Sequence, residues 1–436
     1  MGLTRLQAQA LLKVREMEYG LIGERLSHSF SKTIHAMIGN YKYDLIELNE
    51  NELEKFMAKR DFKGINVTIP FKTSVVRYLD WISPEAKETG AVNTIVCKSG
   101  RLFGYNTDFL GLKALISRQP ISLDGKKALV LGTGGTSRTA KAVLKSIGVK
   151  TIYQASRTPN EDAICYEAAE KLDVDYVINT TPVGMFPNSN SMPIRIDNYR
   201  NLIGITDVIY NPLYTDFIQS GLQKGIPASG GLYMLAAQAV HAANHFGTSA
   251  GSEREICDIY HRILSQKLNI VLIGMPSCGK TTIGRHVCKG MVREFADTDA
   301  IIARRLAERG FDMTIADFIT RFGEKRFRKE ESEVVREISE KNGLVVSTGG
   351  GVPLSADNMR MLKHNGIVFW IDRPLSLLKA TSSRPLTSTR ESLERKYAER
   401  AGLYSKYADV RVPNEGSVTD AVAKIVRGFN EKVSCC

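Results

Sequence analysis

Two stretches combine residue types and spacings that suit phosphate chemistry. Residues 272–284 read LIGMPSCGKTTIG, which contains GxxxxGK[ST] directly after the apolar run NIVLIG at 269–274. In such a loop Gly274 and Gly279 let backbone N–H groups wrap phosphate oxygens. Lys280 reaches the terminal phosphates, and Thr281, followed by Thr282, offers a hydroxyl to Mg²⁺. The strand–loop–helix context makes this an ATP-type signal. Residues 128–140 read ALVLGTGGTSRTA, where Gly132, Gly134 and Gly135 suit a pyrophosphate at a helix N-terminus. The usual third glycine is Ser137, and a glycine loop of this kind also serves as a plain strand-to-helix turn. The next strand sharpens the reading. It ends TIYQASRT, about 20 residues on, where an NAD site places a carboxylate for the ribose. Ser156, Arg157 and Thr158 stand there instead, and an arginine suits a 2′-phosphate, so the loop predicts NADP(H).

These loops need strands and helices to aim them, and the chain supplies three βα series. The first has apolar runs at 19–23, 43–48, 64–69 and 91–97; the second starts at 127 with KALVLG, TIYQAS, DYVINTT and GITDVIY; the third opens at 269 and continues with LVVSTGG and IVFWID. Strands alternating with helices predict an α/β class with mainly parallel sheets. A weakly polar helix is expected at about 231–246. The polar GTSAGSERE after it fits a tether or a cap of that helix. The turn-rich SRQPISLDGK marks one boundary near residue 120, and another falls near Leu268. The layout expected is an extension at 1–18, a substrate domain at 19–119 with return helices at about 231–265, a Rossmann domain at 120–230 and a P-loop domain at 268–436.

Composition narrows the class. The chain has 436 residues, 43% of them apolar and 24% charged, as in ordinary soluble proteins. The net charge of +12 is spread along the chain without a basic run or zinc-finger spacing, so small anionic ligands explain it and nucleic acid is not expected. No apolar stretch reads as a membrane span or signal peptide. The seven cysteines show no CxxC pair, which fits a reducing compartment, here read as the cytoplasm. His241 and His245 have a zinc-compatible spacing, but Ala242 stands where a zinc protease carries glutamate. Cys435 and Cys436 lack the polybasic segment of a lipidated tail.

The first series carries SHSFS, NVTIPFK, AVNT and YNTD, followed downstream by DVIYNP and GLYMLAAQAVHA. Each is bland alone. Together, over residues 19 to about 250, they resemble the shikimate dehydrogenases. The resemblance implies that Ser29 and Ser31 bind a substrate carboxylate. Thr68, Asn93 and Gln238 hold ring hydroxyls with Tyr210 nearby, and Lys72 and Asp108 are the catalytic pair. That pair makes chemical sense: a lysine ammonium stabilises the oxyanion that forms as hydride reaches a ketone, and a carboxylate keeps it charged.

The third series carries FADTDAIIARR, FGEKRFRKEE, VVSTGGGV, SRPL and ERAGLYSKYAD, in the order and spacing of the shikimate kinases, over about 268–430. This resemblance implies that Asp297 assists Mg²⁺ and that Asp299 contacts the ring hydroxyls and orients or deprotonates the attacking one. Arg328 and Arg400 clamp the substrate carboxylate, and Gly349, Gly350 and Gly351 bring backbone against substrate and γ-phosphate. Arg384 closes over the phosphates from a lid. The lid departs from the family pattern: LLKATSSRPL is short and offers only Lys379 upstream of Arg384.

The two loops then have one explanation. A reductase makes shikimate from 3-dehydroshikimate with NADPH, and a kinase phosphorylates it with Mg-ATP. Two other readings stay open. One is a quinate enzyme using NAD, which Arg157 and the serine pair oppose. The other is a non-catalytic metabolite sensor, which should have lost Lys72, Asp108, Lys280 or Asp299. The pattern leaves the oligomeric state open between monomer and homodimer.

Overall fold

A computed structural model describes residues 17–26, 30–378 and 389–435. Ser29, Lys379, Arg384, Cys436 and most of the 1–18 extension lie outside the described residues. The chain forms two compact units. The first runs to Met185 and takes up Asn190–Tyr210 and Phe217–Tyr260; the second comprises Phe186–Ser189, Asn211–Asp216 and His261 onward.

The first unit holds two sheets. One is built from β1 (Met17–Gly23), β2 (Tyr43–Glu47), β3 (Phe62–Val67), β4 (Trp81–Ile82), β5 (Thr94–Lys98) and β6 (Arg101–Tyr105), in the order β2-β1-β3-β5-β6-β4. Strands β1, β2 and β3 are parallel, as expected. Strands β3, β5 and β6 run antiparallel, while β4 pairs parallel with β6, so the sheet stays mainly parallel with one antiparallel part that the βα pattern did not show. The reason is local. Ser99 (φ 50°) and Gly100 (φ 73°) form a two-residue turn with two positive φ angles, which matches the twist of a tight hairpin. Helix α1 (Ser31–Ile38) follows β1. Helix α2 (Thr107–Ser117) starts directly after β6, capped where the Asn106 side chain accepts from Phe109 N at 3.0 Å. That cap fixes Asp108 in the first turn of α2.

The second sheet is parallel throughout: β7 (Lys127–Leu131), β8 (Thr151–Ala155), β9 (Tyr176–Asn179), β10 (Gly204–Asp207) and β11 (Ala228–Ser229), in the order β11-β10-β9-β7-β8. Helix α3 (Gly135–Ser146) follows β7. Helix α4 (Leu232–Phe246) packs on α2. It stops at Gly247 (φ 78°), with the Thr248 N–H returning to Ala243 O at 2.9 Å. Ser252 Oγ then accepts from Glu255 N at 3.2 Å, at the start of the helix Glu253–Lys267. The polar GTSAGSERE is therefore a helix stop and start, not a tether.

The second unit has one parallel sheet, β13-β14-β12-β15-β16, made from β12 (Asn269–Ile273), β13 (Glu294–Asp297), β14 (Leu344–Ser347), β15 (Gly366–Asp372) and β16 (Val410–Pro413). The central strands β12, β14 and β15 are buried along their whole length, as their apolar runs predict. Edge strands β13 and β16 are short and part polar, and sequence reading missed both. Helices α5 (Lys280–Met291), α6 (Thr298–Glu308), α7 (Glu324–Ser339) and α8 (Arg390–Tyr407) carry most of the functional side chains.

A polar group inside this unit joins chain segments far apart in sequence. Asp216 Oδ1 lies 2.8 Å from His364 Nε2, and its Oδ2 accepts from Arg360 Nη1. Leu213 N donates to Asn365 Oδ1 at 2.9 Å, and Tyr214 N to His364 O at 2.9 Å. His364 and Asn365 are fully buried. Removing the carboxylate strands buried polar groups, which costs about 1–3 kcal/mol. Asp216→Ala should therefore lower the urea midpoint of the second unit. Trp370 fluorescence in a Trp81→Phe background reads that transition, and an unchanged midpoint would show that the group contributes nothing to stability.

Two candidate active sites

Strands β1 and β3 end at a cavity of about 610 Å³ in the first unit. Ser31, Thr68, Lys72, Asn93, Asp108, Tyr210 and Gln238 all line it. Lys72 Nζ donates to Asp108 Oδ2 at 2.7 Å, with both side chains partly exposed to the cavity. Asn93 is oriented by its neighbours. Its Oδ1 accepts from Thr107 N (2.7 Å), Thr107 Oγ1 (3.1 Å) and Thr94 Oγ1 (3.2 Å), which turns the amide N–H₂ toward the ligand space. Asn66 continues the network, with Nδ2 donating to Thr94 Oγ1 at 3.0 Å and Oδ1 accepting from Tyr43 at 2.7 Å. The Tyr43 ring stacks on His35 at 3.9 Å, and His35 Nδ1 shares a 2.6 Å hydrogen bond with Tyr41. Burial pushes the His35 imidazole down to about 3, so it is neutral at physiological pH.

The dinucleotide loop ends β7 in the same unit. Helix α3 begins at Gly135, and its cap residue Gly134 offers no side-chain partner, so the first N–H groups of the helix are free for a ligand. A Cβ built at Gly134 or Gly135 would meet only open space. Ser137, at the third glycine position, is buried and accepts from Gln154 Nε2 at 2.6 Å; that nitrogen also donates to Gly132 O at 2.8 Å. The serine thus stitches α3 to β8 where glycine would allow bare packing. At the end of β8, Ser156 is buried with Oγ accepting from Thr158 N at 3.1 Å, while Arg157 is exposed. These features fit a dinucleotide with a 2′-phosphate.

The second unit holds a cavity of about 560 Å³, lined by Gly279, Lys280, Thr281, Thr282, Asp297, Asp299, Arg328, Gly349, Gly350, Gly351 and Arg400. Gly274 lies at the loop's start, and Gly279 (φ 97°) caps α5 without a side chain. Lys280 Nζ lies along the loop, on Gly274 O (2.8 Å) and Met275 O (2.9 Å). Thr281 Oγ1 donates to Asp297 Oδ2 at 2.9 Å, and Asp297 Oδ1 caps α6 through the N–H groups of Asp299 and Ala300. A hydroxyl and a carboxylate side by side at a phosphate loop form a hard-oxygen set that fits Mg²⁺.

The glycine triplet is pinned from both sides. Gly349 N donates to Thr298 Oγ1 at 2.8 Å, and Tyr404 OH donates to Gly350 O at 2.6 Å. A Cβ at Gly351 would meet the Arg328 guanidinium and push it from its place against Glu324 and Glu331. The two arginines differ. Arg328 is held by Glu331 (2.9 and 3.0 Å) and Glu324 (2.7 Å). Arg400 is 3% exposed, and its Nε and Nη2 have no hydrogen-bond partner. Buried guanidinium donors without partners are costly, so this arrangement calls for an anion. Glu331 was not anticipated. It sits one turn after Arg328 on α7, and helical spacing from Arg328 is the signal that could have found it. Burial raises its carboxyl pKa despite Arg328.

Known proteins match both units. A family model for the shikimate dehydrogenase substrate binding domain matches residues 21–95, and one for shikimate kinase matches 276–429. A shikimate dehydrogenase (NADP(+)) of Clostridium beijerinckii is 39% identical over 243 residues, covering 51% of this chain and 89% of that protein. The chain belongs to the shikimate dehydrogenase family. It carries a shikimate kinase domain in the same polypeptide. Shikimate dehydrogenase 1 of Peptoclostridium difficile shares the dehydrogenase fold, with TM-score 0.51 and 35% identity over 57% of this chain and 97% of that one. So does the Thermus thermophilus enzyme, solved in complex with NADP(H) and shikimate, with TM-score 0.50 and 30% identity over 56% and 99%.

The dehydrogenase cavity makes a pH prediction. The folded pKa of His35 lies below its ordinary 6.5, so the neutral ring contributes stability that is complete above about 6.5 and lost as pH falls toward about 3. Between pH 7 and 5 this loss is about 2 kcal/mol. His35→Gln should lower stability at pH 7 but lose about 2 kcal/mol less than the parent on acidification. Urea unfolding of both proteins at the two pH values checks this, and equal losses would show that His35 is not buried neutral.

Proposed function

We propose that the first unit reduces 3-dehydroshikimate to shikimate with NADPH and the second phosphorylates shikimate with Mg-ATP, through the residues described above. The reductase reading is supported by Lys72 and Asp108 standing 2.7 Å apart in the cavity that also holds Ser31, Thr68, Asn93, Tyr210 and Gln238. NADPH supplies the hydride. Lys72 holds a proton at Nζ, stabilises the charge growing on the carbonyl oxygen and delivers the proton there. Asp108 fixes the ammonium and keeps it charged. Thr68, Asn93, Gln238 and Tyr210 orient the ring hydroxyls. Gly132, Gly134 and Gly135 carry the pyrophosphate, with Ser156, Arg157 and Thr158 at the adenosine end. Ser29 is assigned to the carboxylate by resemblance alone.

The kinase reading is supported by the unpartnered N–H groups of Arg400, buried against the cavity that holds the phosphate loop. Arg400 binds the substrate carboxylate, with Arg328 held beside it by Glu324 and Glu331. Asp299 orients the attacking hydroxyl and accepts its proton. The γ-phosphoryl group passes from ATP to that oxygen. Lys280 and the loop N–H groups stabilise the charge on the transferring group. Thr281 and Asp297 would hold Mg²⁺, which would supply positive charge against the phosphate oxygens. Gly349, Gly350 and Gly351 shape the floor of the site, and Arg384 is assigned to the lid by resemblance alone.

The domain layout goes with this reading: substrate domain 19–119 with return helices to about 265, cofactor domain 120–230, and kinase domain 268–436. Among the described residues no helix is long and apolar enough to cross a membrane. Free thiols at Cys97, Cys165, Cys257, Cys278 and Cys288 support a reducing compartment such as the cytoplasm.

Two variants test the assignment. Lys72→Ala should cut NADPH-dependent reduction by about 10²–10⁴-fold and leave shikimate-dependent ADP formation intact. Lys280→Ala should do the reverse. Unchanged reduction in the first variant, or unchanged phosphoryl transfer in the second, would sink the corresponding role.

A further inference from the structure

Arg25, an exposed residue just after β1, lines the reductase cavity, as do Phe30, Ser31 and Ile34, and the mechanism proposed above gives it no role. Its backbone is held on both sides. Glu24 N reaches Ile69 O at 3.5 Å, and Leu26 N donates to the Glu47 carboxylate at 2.8 Å, with the Leu26 side chain buried. The guanidinium therefore swings from a fixed root at the end of β1.

The charges of the cavity decide what it can do. The charged side chains among the lining residues are Arg25, Lys72 and Asp108. Lys72 and Asp108 close on each other at 2.7 Å and cancel formally. His35 is neutral at physiological pH. Among the described residues Arg25 has no ion-pair or hydrogen-bond partner. The cavity thus presents one uncompensated positive charge, and it sits on Arg25. The substrate proposed above is a monoanion whose charge is a carboxylate. A planar guanidinium fork binds that group with paired N–H donors, which serine hydroxyls cannot match in charge.

We propose that Arg25 is a specificity-determining residue of the reductase, one that selects substrates carrying a carboxylate on the ring. The inference rests on the reading of this cavity as the 3-dehydroshikimate site. Lys72 and Asp108 carry the chemistry at the carbonyl; Arg25 acts on the opposite requirement, that only an acid is held there.

The test uses the full chain and two substrates, 3-dehydroshikimate and its neutral carboxamide, with NADPH oxidation followed. In Arg25→Ala the KM for the acid should rise about tenfold or more, as expected for a lost charge-assisted hydrogen bond, while kcat stays within about twofold. The preference for acid over amide, as a ratio of kcat/KM values, should fall by the same factor. Arg25→Lys should recover part of it, because charge returns without the fork. An acid-to-amide preference equal in Arg25→Ala and parent would overturn the proposal. So would a rise in the KM for NADPH in place of that for the acid, which would assign Arg25 to the cofactor. The urea transition of Trp81 fluorescence in a Trp370→Phe background reports whether the first unit of the variant has folded, and Arg25→Gln provides a milder substitution if it has not. A parent protein that fails to reduce 3-dehydroshikimate at all would instead defeat the reading of the cavity.

Discussion

Helix N-termini entered through glycine govern both nucleotide sites. At Gly134 before α3 and at Gly279 before α5, the cap residue has no side chain, so the first N–H groups of each helix are left without an internal partner. A serine or aspartate cap at Gly134 would stabilise its helix by roughly a few tenths of a kcal/mol and spend those donors on itself, and at Gly279 the φ of 97° disfavours any side chain. The fold forgoes that stability and keeps the donors for phosphate. It can do so because each helix follows a strand fixed elsewhere. The residues Ala128–Leu131 and Ile270–Ile273 are completely buried, and their ladders run on both sides. The loop position is set by the sheet, and a ligand supplies the missing partner.

The substrate sites solve a different problem, that of holding charge in partly dry cavities. Each leaves a cation facing the substrate without a carboxylate partner. In the reductase, Asp108 answers Lys72 and keeps the acid in place for the carbonyl. In the kinase, Arg328 is answered by Glu324 and Glu331, while Arg400 is buried with free donors. A matched cation is positioned and charged but weakly attractive to further anions. An unmatched one recovers its desolvation cost only when an anion arrives. In the reductase the cation without a carboxylate partner is Arg25, which is exposed and so offers its charge without a comparable desolvation cost.

Much of this was legible in the sequence, for identifiable reasons. Buried parallel strands read as apolar runs, so β7, β12, β14 and β15 were visible, and so were the glycine loops that end β7 and β12. Motif residues that share a strand end or a first helical turn, such as Thr68 with Lys72 and Thr107 with Asp108, fall at one site because the strands converge there. What was hidden is equally instructive. Strands β13 and β16 are edge strands with few apolar residues. The β5–β6 hairpin depends on left-handed angles at Ser99 and Gly100, which a βα pattern does not announce. The second unit's use of Asn211–Asp216 is a long-range pairing through Asp216, His364 and Arg360 that no local spacing encodes. Glu331 and Arg25 were passed over because a charged residue on a helix or at a strand end reads as solvated surface until its cavity is known.

The account's central claim is that one polypeptide carries out two consecutive reactions on one carbon skeleton, each in its own cavity. The most direct measurement supplies the purified chain with 3-dehydroshikimate, NADPH and Mg-ATP, withholds shikimate, and follows NADPH loss and ADP formation together. The account predicts that ADP appears only when NADPH is present, and that at completion one ADP has formed for each NADPH consumed. NADPH loss with no ADP, or ADP formed at the same rate when NADPH is omitted, would contradict it.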